Sequence, residues 1–117
     1  MMTQTELRKY YTDRAKLREA EETLAGLRVY AKASGEDLSK DIAKLETDVK
    51  KQAEELTVRE AEVLSTLGVI EDTCARAYLR LHYHQGIPWK EIAAMFGKTE
   101  KAASRASYTA MNKCIPK

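Results

Sequence analysis

Apolar residues in the first third of the chain recur at spacings near three and four: Leu7, Tyr10, Tyr11, Leu17, Leu24, Leu27 and Ala31. That period puts them on one side of an α-helix and predicts a long amphipathic helix over residues 4–33. Ser34-Gly35-Glu36-Asp37 interrupts it, with Gly35 suited to a helix end and Asp37 to an N-cap. A second stripe follows at alternating spacings of four and three: Leu38, Ile42, Leu45, Val49, Gln52 and Leu56. It has the form of a coiled-coil seam with Gln52 as its polar interruption. Neither stripe is broad enough to be stable alone, so the short turn between them predicts an antiparallel hairpin. Two readings stand at Thr57. It caps a new helix with Glu60 three residues on, or the helix runs through it, since Val63 and Leu67 extend the apolar face. Gly68 is tolerable inside a helix at a cost of about 1 kcal/mol.

The next helix is expected from Val69 or Ile70 to Gln85-Gly86, with Ile70, Cys74, Ala77, Tyr78, Leu81 and His82 inward. Pro88 fits the first turn of a further helix, Trp89 to Phe96, in which Trp89, Ile92, Ala93 and Phe96 share a face. Gly97 ends it with a left-handed position, and Thr99 caps a last helix running to about Cys114, before Pro116. Ala93 is small where two crossing helices approach, and Gly97 follows four residues later. On the last helix Ala103, Ala106, Ala110, Met111 and Cys114 form a stripe that packs back on Ile92 and Phe96. Glu100, Lys101, Ser104, Arg105, Ser107 and Tyr108 are left on the outer surface. The expected architecture is all-α: a helical hairpin or arm over residues 1–66 and a helix-turn-helix unit over residues 67–117.

Charge separates the two parts. Residues 1–69 hold 12 Lys/Arg against 14 Asp/Glu, whereas residues 70–117 hold 8 against 4. The positive excess in the second part suits an anionic partner. Residues 37–62 read as the solvated face of a helix. No run of eighteen apolar residues exists, so no membrane span is expected, and the first residues lack the apolar core of an export signal. The cytoplasm is the expected location. Cys74 and Cys114 follow no metal-ligand spacing and read as small hydrophobes. His82 and His84, two residues apart, do not face together on a helix and read as surface or boundary residues. Trp89 reads as a core anchor. No nucleophile–base pairing or glycine-rich phosphate loop is present, so neither catalysis nor a metal or cofactor is expected.

The string LHYHQGIPWKEIAAMFGKTEKAASRASYTAMNKC resembles the C-terminal promoter-recognition domain of bacterial sigma factors, region 4. It is closer still to the small phage-encoded regulators that share that helix-turn-helix. Trp89, Glu91, Ile92, Ala93, Phe96 and Gly97 match the Trp-x-Glu-Ile-Ala-x-x-hydrophobic-Gly core, and the resemblance spans roughly residues 68–115. It implies a last helix seated in the major groove of duplex DNA. Lys101, Ser104 and Arg105 would read bases, and Thr99 and Tyr108 would contact the backbone. Lys90 and Lys98 would assist, and Arg76 and Arg80 would supply flanking phosphate contacts. Ala103 and Ala106 stand where the family usually has larger aliphatic residues, so the corner has a thinner core. Glu100 stands where an arginine is common. It suits the first turn of a helix or a cytosine amino group. Modest charge implies modest affinity from one copy, which a homodimer through the N-terminal helices or an RNA polymerase partner would relieve. The implied role is transcriptional regulation, in a phage or prophage setting. A protein-interaction module working through the arm and a DNA-packaging or replication accessory are the alternative readings.

Overall fold

Thr3 opens the first helix with a reciprocal cap. Its hydroxyl accepts the Glu6 N–H at 3.1 Å while the Glu6 carboxylate accepts the Thr3 N–H at 3.1 Å. The computed structural model describes all residues 1–117, and every regular element is helical: α1 (Gln4–Ser34), α2 (Ser39–Leu67), α3 (Thr73–Leu79), α4 (Trp89–Phe96) and α5 (Glu100–Cys114). A π-helical turn, Arg80–His84, continues α3 without a break. No helix is long and apolar enough to cross a membrane.

α1 ends at Gly35 in the left-handed region. The N-cap of α2 is Leu38, without a side-chain cap, and Asp37, expected in that place, lies one residue earlier and accepts the Ser39 N–H at 3.1 Å. α2 runs straight through Thr57, whose hydroxyl donates back to the Ala53 carbonyl at 2.9 Å instead of capping a new helix. The two helices are antiparallel. Arg28 pairs with Glu46 at 2.9 Å near the turn and Arg59 with Asp13 at 2.8 Å midway. The Met2 N–H bonds the Thr66 hydroxyl at 2.9 Å at the far end. Burial raises the Asp13 carboxyl, but hydrogen bonds and charge from Arg59 and Lys9 outweigh it and hold the group below its ordinary value. Of the seam residues, Leu7, Tyr10, Leu17, Leu24, Leu56, Val63 and Leu67 are buried, while Leu27, Ala31, Leu38, Ile42, Leu45 and Val49 are half-buried. The half of the hairpin nearest its turn therefore projects, and the molecule measures 54 × 31 × 17 Å.

α3 begins at Thr73, three or four residues later than the apolar pattern predicts. Asp72 caps it by accepting the Ala75 N–H at 2.9 Å, and the Arg76 guanidinium donates to the Ile70 carbonyl at 3.0 Å, closing the loop before it. Cys74, expected inward, is exposed, because Ala75 and Leu79 face the core instead. Past Leu79 the Gln85 N–H reaches the Arg80 carbonyl five residues back, at 3.1 Å. In this wider turn the neighbouring His82 and Tyr83 are both buried.

One core joins the two parts of the chain. Met2, Leu7, Tyr10 and Leu17 from α1 and its lead-in meet Leu56, Val63 and Leu67 of α2, then Ile70, Ala75, Leu79, Tyr83, Met111 and Ile115. Residues on both sides of the expected 66/67 boundary thus share it. Gln4 fastens the arm to the end of α5: its amide donates to the Ile115 carbonyl at 2.9 Å and to Asn112 Oδ1 at 3.2 Å. Gln52 is the opposite case, since its Oε1 is buried with no partner.

These two glutamines generate opposite expectations for urea unfolding. Gln4→Ala strands a buried carbonyl and lowers stability by roughly 1–3 kcal/mol. Gln52→Leu removes an unsatisfied acceptor and raises stability by about 1 kcal/mol. A fall in stability for the leucine variant would show that Gln52 is satisfied.

Candidate nucleic-acid interface

The corner between α4 and α5 is set by local chemistry. Gly97 adopts φ 63°, and the Ala93 carbonyl accepts the Lys98 N–H at 2.9 Å. A Cβ at Gly97 would meet nothing within 4 Å, so the left-handed φ selects glycine, not crowding. Two residues on, the Thr99 hydroxyl accepts the Ala102 N–H at 3.1 Å and caps α5. α4 has no such side-chain cap, and Pro88 precedes it in extended conformation.

α5 turns Ala103, Ser107 and Met111 inward at spacings of four, Met111 into the core shared with the arm, and α4 buries Ile92 and Ala93. Ser107 corrects the expectation that placed it outside: it is fully buried, and its hydroxyl donates to the Ala103 carbonyl at 2.8 Å. Bonded back along its own helix, a serine satisfies itself and lets the helices approach closely. Ala106, expected in the stripe, is exposed for the same reason of register. Phe96 also departs from its expected place. It is 46% exposed and reaches only the edge of Tyr78, with ring centroids 5.1 Å apart. As the last residue of α4 it lies past the crossing point, while Ile92 and Ala93 fill the contact.

The outer side of α5 carries Glu100, Lys101, Arg105 and Tyr108, all exposed, with Ser104 half-buried among them. Lys101 and Arg105 lie one turn apart. The Ser104 hydroxyl donates to the Lys101 carbonyl at 3.3 Å, and the Tyr108 hydroxyl accepts the Trp89 indole N–H at 3.2 Å. Thr99 and Tyr108 thus already hold α5 in place. Lys90 is exposed in the first turn of α4, and Lys98 is exposed in the turn, beside a groove lined by Asp72, Tyr78, Ala102 and Ala106. Arg76 and Arg80, on the preceding helix, border a shallow depression with Thr73, Ala77 and Leu81. Every ion pair within 4.0 Å lies in the arm or at its base. Lys90, Lys98, Lys101 and Arg105 therefore face solvent with no carboxylate partner.

A row of rings ties this corner to the arm. His82 is stacked between Tyr11 of α1, at 4.2 Å and 20°, and Trp89 of α4, at 4.0 Å and 14°. Trp89 in turn meets the Tyr108 ring edge-on at 5.8 Å. His82 Nδ1 lies 2.8 Å from the Ile87 carbonyl, which fixes it as the protonated ring nitrogen. His84 Nε2 lies 2.7 Å from the Glu60 carboxylate of α2. His82, read both as an inward residue of its helix and as a boundary one, is buried, and His84 is half-buried. No protein family, curated protein or solved structure matches this chain.

Burial lowers the His82 pKa below its ordinary 6.5, and the hydrogen bond to Ile87 opposes that shift only in part. The unfolded chain therefore binds more protons than the folded one as pH falls below 6.5, so this group's contribution to stability is lost on acidification. We expect urea midpoints to drop in that window, with a His82 contribution of at most about 1.4 kcal/mol per pH unit. His82→Asn should flatten that part of the profile. An unchanged slope in the variant would remove His82 as its source.

Proposed function

We propose that the chain is a sequence-specific binder of duplex DNA that acts in transcriptional regulation, with α5 lying in the major groove. The observation that carries this reading is the outward face of α5, where Lys101 and Arg105 stand unpaired beside Ser104 on a capped helix. Residues 86–117 hold six Lys/Arg against two Glu, so the field around that face favours an anion. Arg105 and Lys101 carry donors suited to guanine, and Ser104 serves either a base edge or a phosphate. Lys90 and Lys98 flank the helix as phosphate contacts, and Glu100, in the first turn, suits a cytosine amino group. Arg76 and Arg80, on the preceding helix, would add flanking phosphate contacts.

The resemblance to sigma region 4 and to phage-encoded regulators supports the same reading and suggests the phage setting. An interaction module built on an apolar arm is less favoured. The exposed large apolar residues of the arm, Met1, Val29, Tyr30 and Val58, are scattered and form no strip along the seam. Val29 and Tyr30 do sit together close to the turn, at 70% and 52% exposure. They are where a second copy or an RNA polymerase subunit would hold the arm.

Selection from a random duplex library, followed across a salt series, tests the proposal. A defined motif should emerge, with affinity falling steeply as salt rises. Arg105→Ala should cost roughly 1–3 kcal/mol of affinity and relax one position of the motif, with helicity unchanged. No enriched motif, or equal loss of helicity in the variant, would sink the assignment of α5.

A further inference from the structure

Two polar side chains of α5 differ from the others in how the fold uses them. Ser104, Ser107 and Thr109 each donate their hydroxyl proton to a carbonyl of their own helix, at 3.3, 2.8 and 2.9 Å. Tyr108 does the reverse. It accepts the Trp89 indole N–H at 3.2 Å, and its own O–H donates to nothing in the fold. Asn112 follows one turn later with the same arrangement. Its Oδ1 accepts the Gln4 amide N–H at 3.2 Å, while its two N–H groups donate to nothing in the fold.

Gln4 fixes which way the Asn112 amide points. The same Gln4 nitrogen lies 2.9 Å from the Ile115 carbonyl, which can only accept, so a donor must stand there. The Asn112 atom facing that nitrogen is then the acceptor Oδ1, and the Asn112 NH2 is turned away from Gln4. A parallel constraint holds at Tyr108, because an indole N–H is a donor only. Each side chain thus has an acceptor occupied by the fold and every donor unspent.

The helical period places this pair on the proposed reading face. Lys101, Arg105, Tyr108 and Asn112 follow one another at spacings of four, three and four, which is one side of a helix, and all are exposed. At i and i+4 the Cβ atoms of Tyr108 and Asn112 stand about 5–6 Å apart. The pair occupies the C-terminal half of α5, whereas base contacts of a helix-turn-helix come from the N-terminal part of its second helix. Tyr108 is also tied to Trp89, the first residue of α4, and the first helix of such a unit crosses the DNA backbone. Free donors at that end suit a group that only accepts, and a phosphate oxygen is such a group.

We propose that Tyr108 and Asn112 together hold one backbone phosphate of the duplex that Lys101, Ser104 and Arg105 read. The resemblance assigns Tyr108 a backbone contact and Asn112 none; the pairing and the orientation of both donors come from the fold. The inference rests on the DNA-binding reading of α5. Being uncharged, the pair fixes register and adds affinity without adding to the salt dependence.

The test uses the full chain and a duplex selected by it, prepared as a series in which one phosphate at a time is replaced by an uncharged methylphosphonate. Affinity is measured across a salt range for wild type, Tyr108→Phe, Asn112→Ala and Asn112→Asp, with thermal melting as the control on folding. Tyr108→Phe and Asn112→Ala should each weaken binding severalfold, up to about tenfold. The motif and the salt slope should stay unchanged, since no cation is removed. At one position the methylphosphonate should cost wild type affinity and cost these two variants nothing further. Asn112→Asp keeps the acceptor that Gln4 bonds but turns a negative charge toward the phosphate. It should bind more weakly still and recover at that same methylphosphonate, and it carries the test if the alanine variant melts early. Folded variants that bind as tightly as wild type, or whose losses add fully to every methylphosphonate, would overturn the inference and leave the α5 reading intact. Absence of any duplex binding by wild type would overturn both.

Discussion

The stacking of His82 between Tyr11 and Trp89 is the contact on which the relation between arm and corner depends. Its three rings come from three different elements, so none can move far without opening the stack. A neutral imidazole suits the position: one nitrogen is satisfied by the Ile87 carbonyl, and both faces are covered by rings. Both His82 and Tyr83 of the π-turn are buried, and Tyr83 also meets Tyr11 edge-on at 6.2 Å.

A corner as small as α3–α5 has little apolar surface of its own. Its inward residues on α5 are an alanine, a serine and a methionine, and Phe96 remains half outside. The base of the hairpin compensates, because Leu7, Tyr10, Val63 and Leu67 are all fully buried and share the core with Met111 and Ile115. Gln4 adds polar closure across the same joint. The thin packing between α4 and α5 is therefore supported from outside, and the outward side of α5 is free to be polar.

Much of this was legible in the amino-acid order, and the failures have a common form. Both long helices, the Gly35 and Gly97 ends, the Thr99 cap and the extent of α4 follow from period and capping chemistry, which are local. Ser107, Phe96 and Cys74 lie elsewhere than the spacing puts them because their environments are set by neighbours distant in sequence. A serine at a buried helix crossing reads as polar until its back-bond to Ala103 is seen. Arg76 looks like a free cation in the sequence, yet it spends a donor on closing the Ile70 loop. At the candidate interface the identity and exposure of Lys101 and Arg105 were readable. The approach of Arg14 to Gly86 is a tertiary fact.

The projecting hairpin is also a lever. At 1.5 Å per residue the part of α1 from Tyr11 to Ser34 is about 35 Å long, and its fulcrum is the packed base where Tyr11 meets His82. A swing of about 5° there displaces the far end by roughly 3 Å over that length. Any body that grips the turn near Val29 and Tyr30 therefore gains mechanical advantage over the ring stack, and through Trp89 it exerts torque on the start of α4. Conversely, a clamped α5 would restrict the arc swept by the distal turn. Force applied to one end of this molecule has a defined place to be felt at the other.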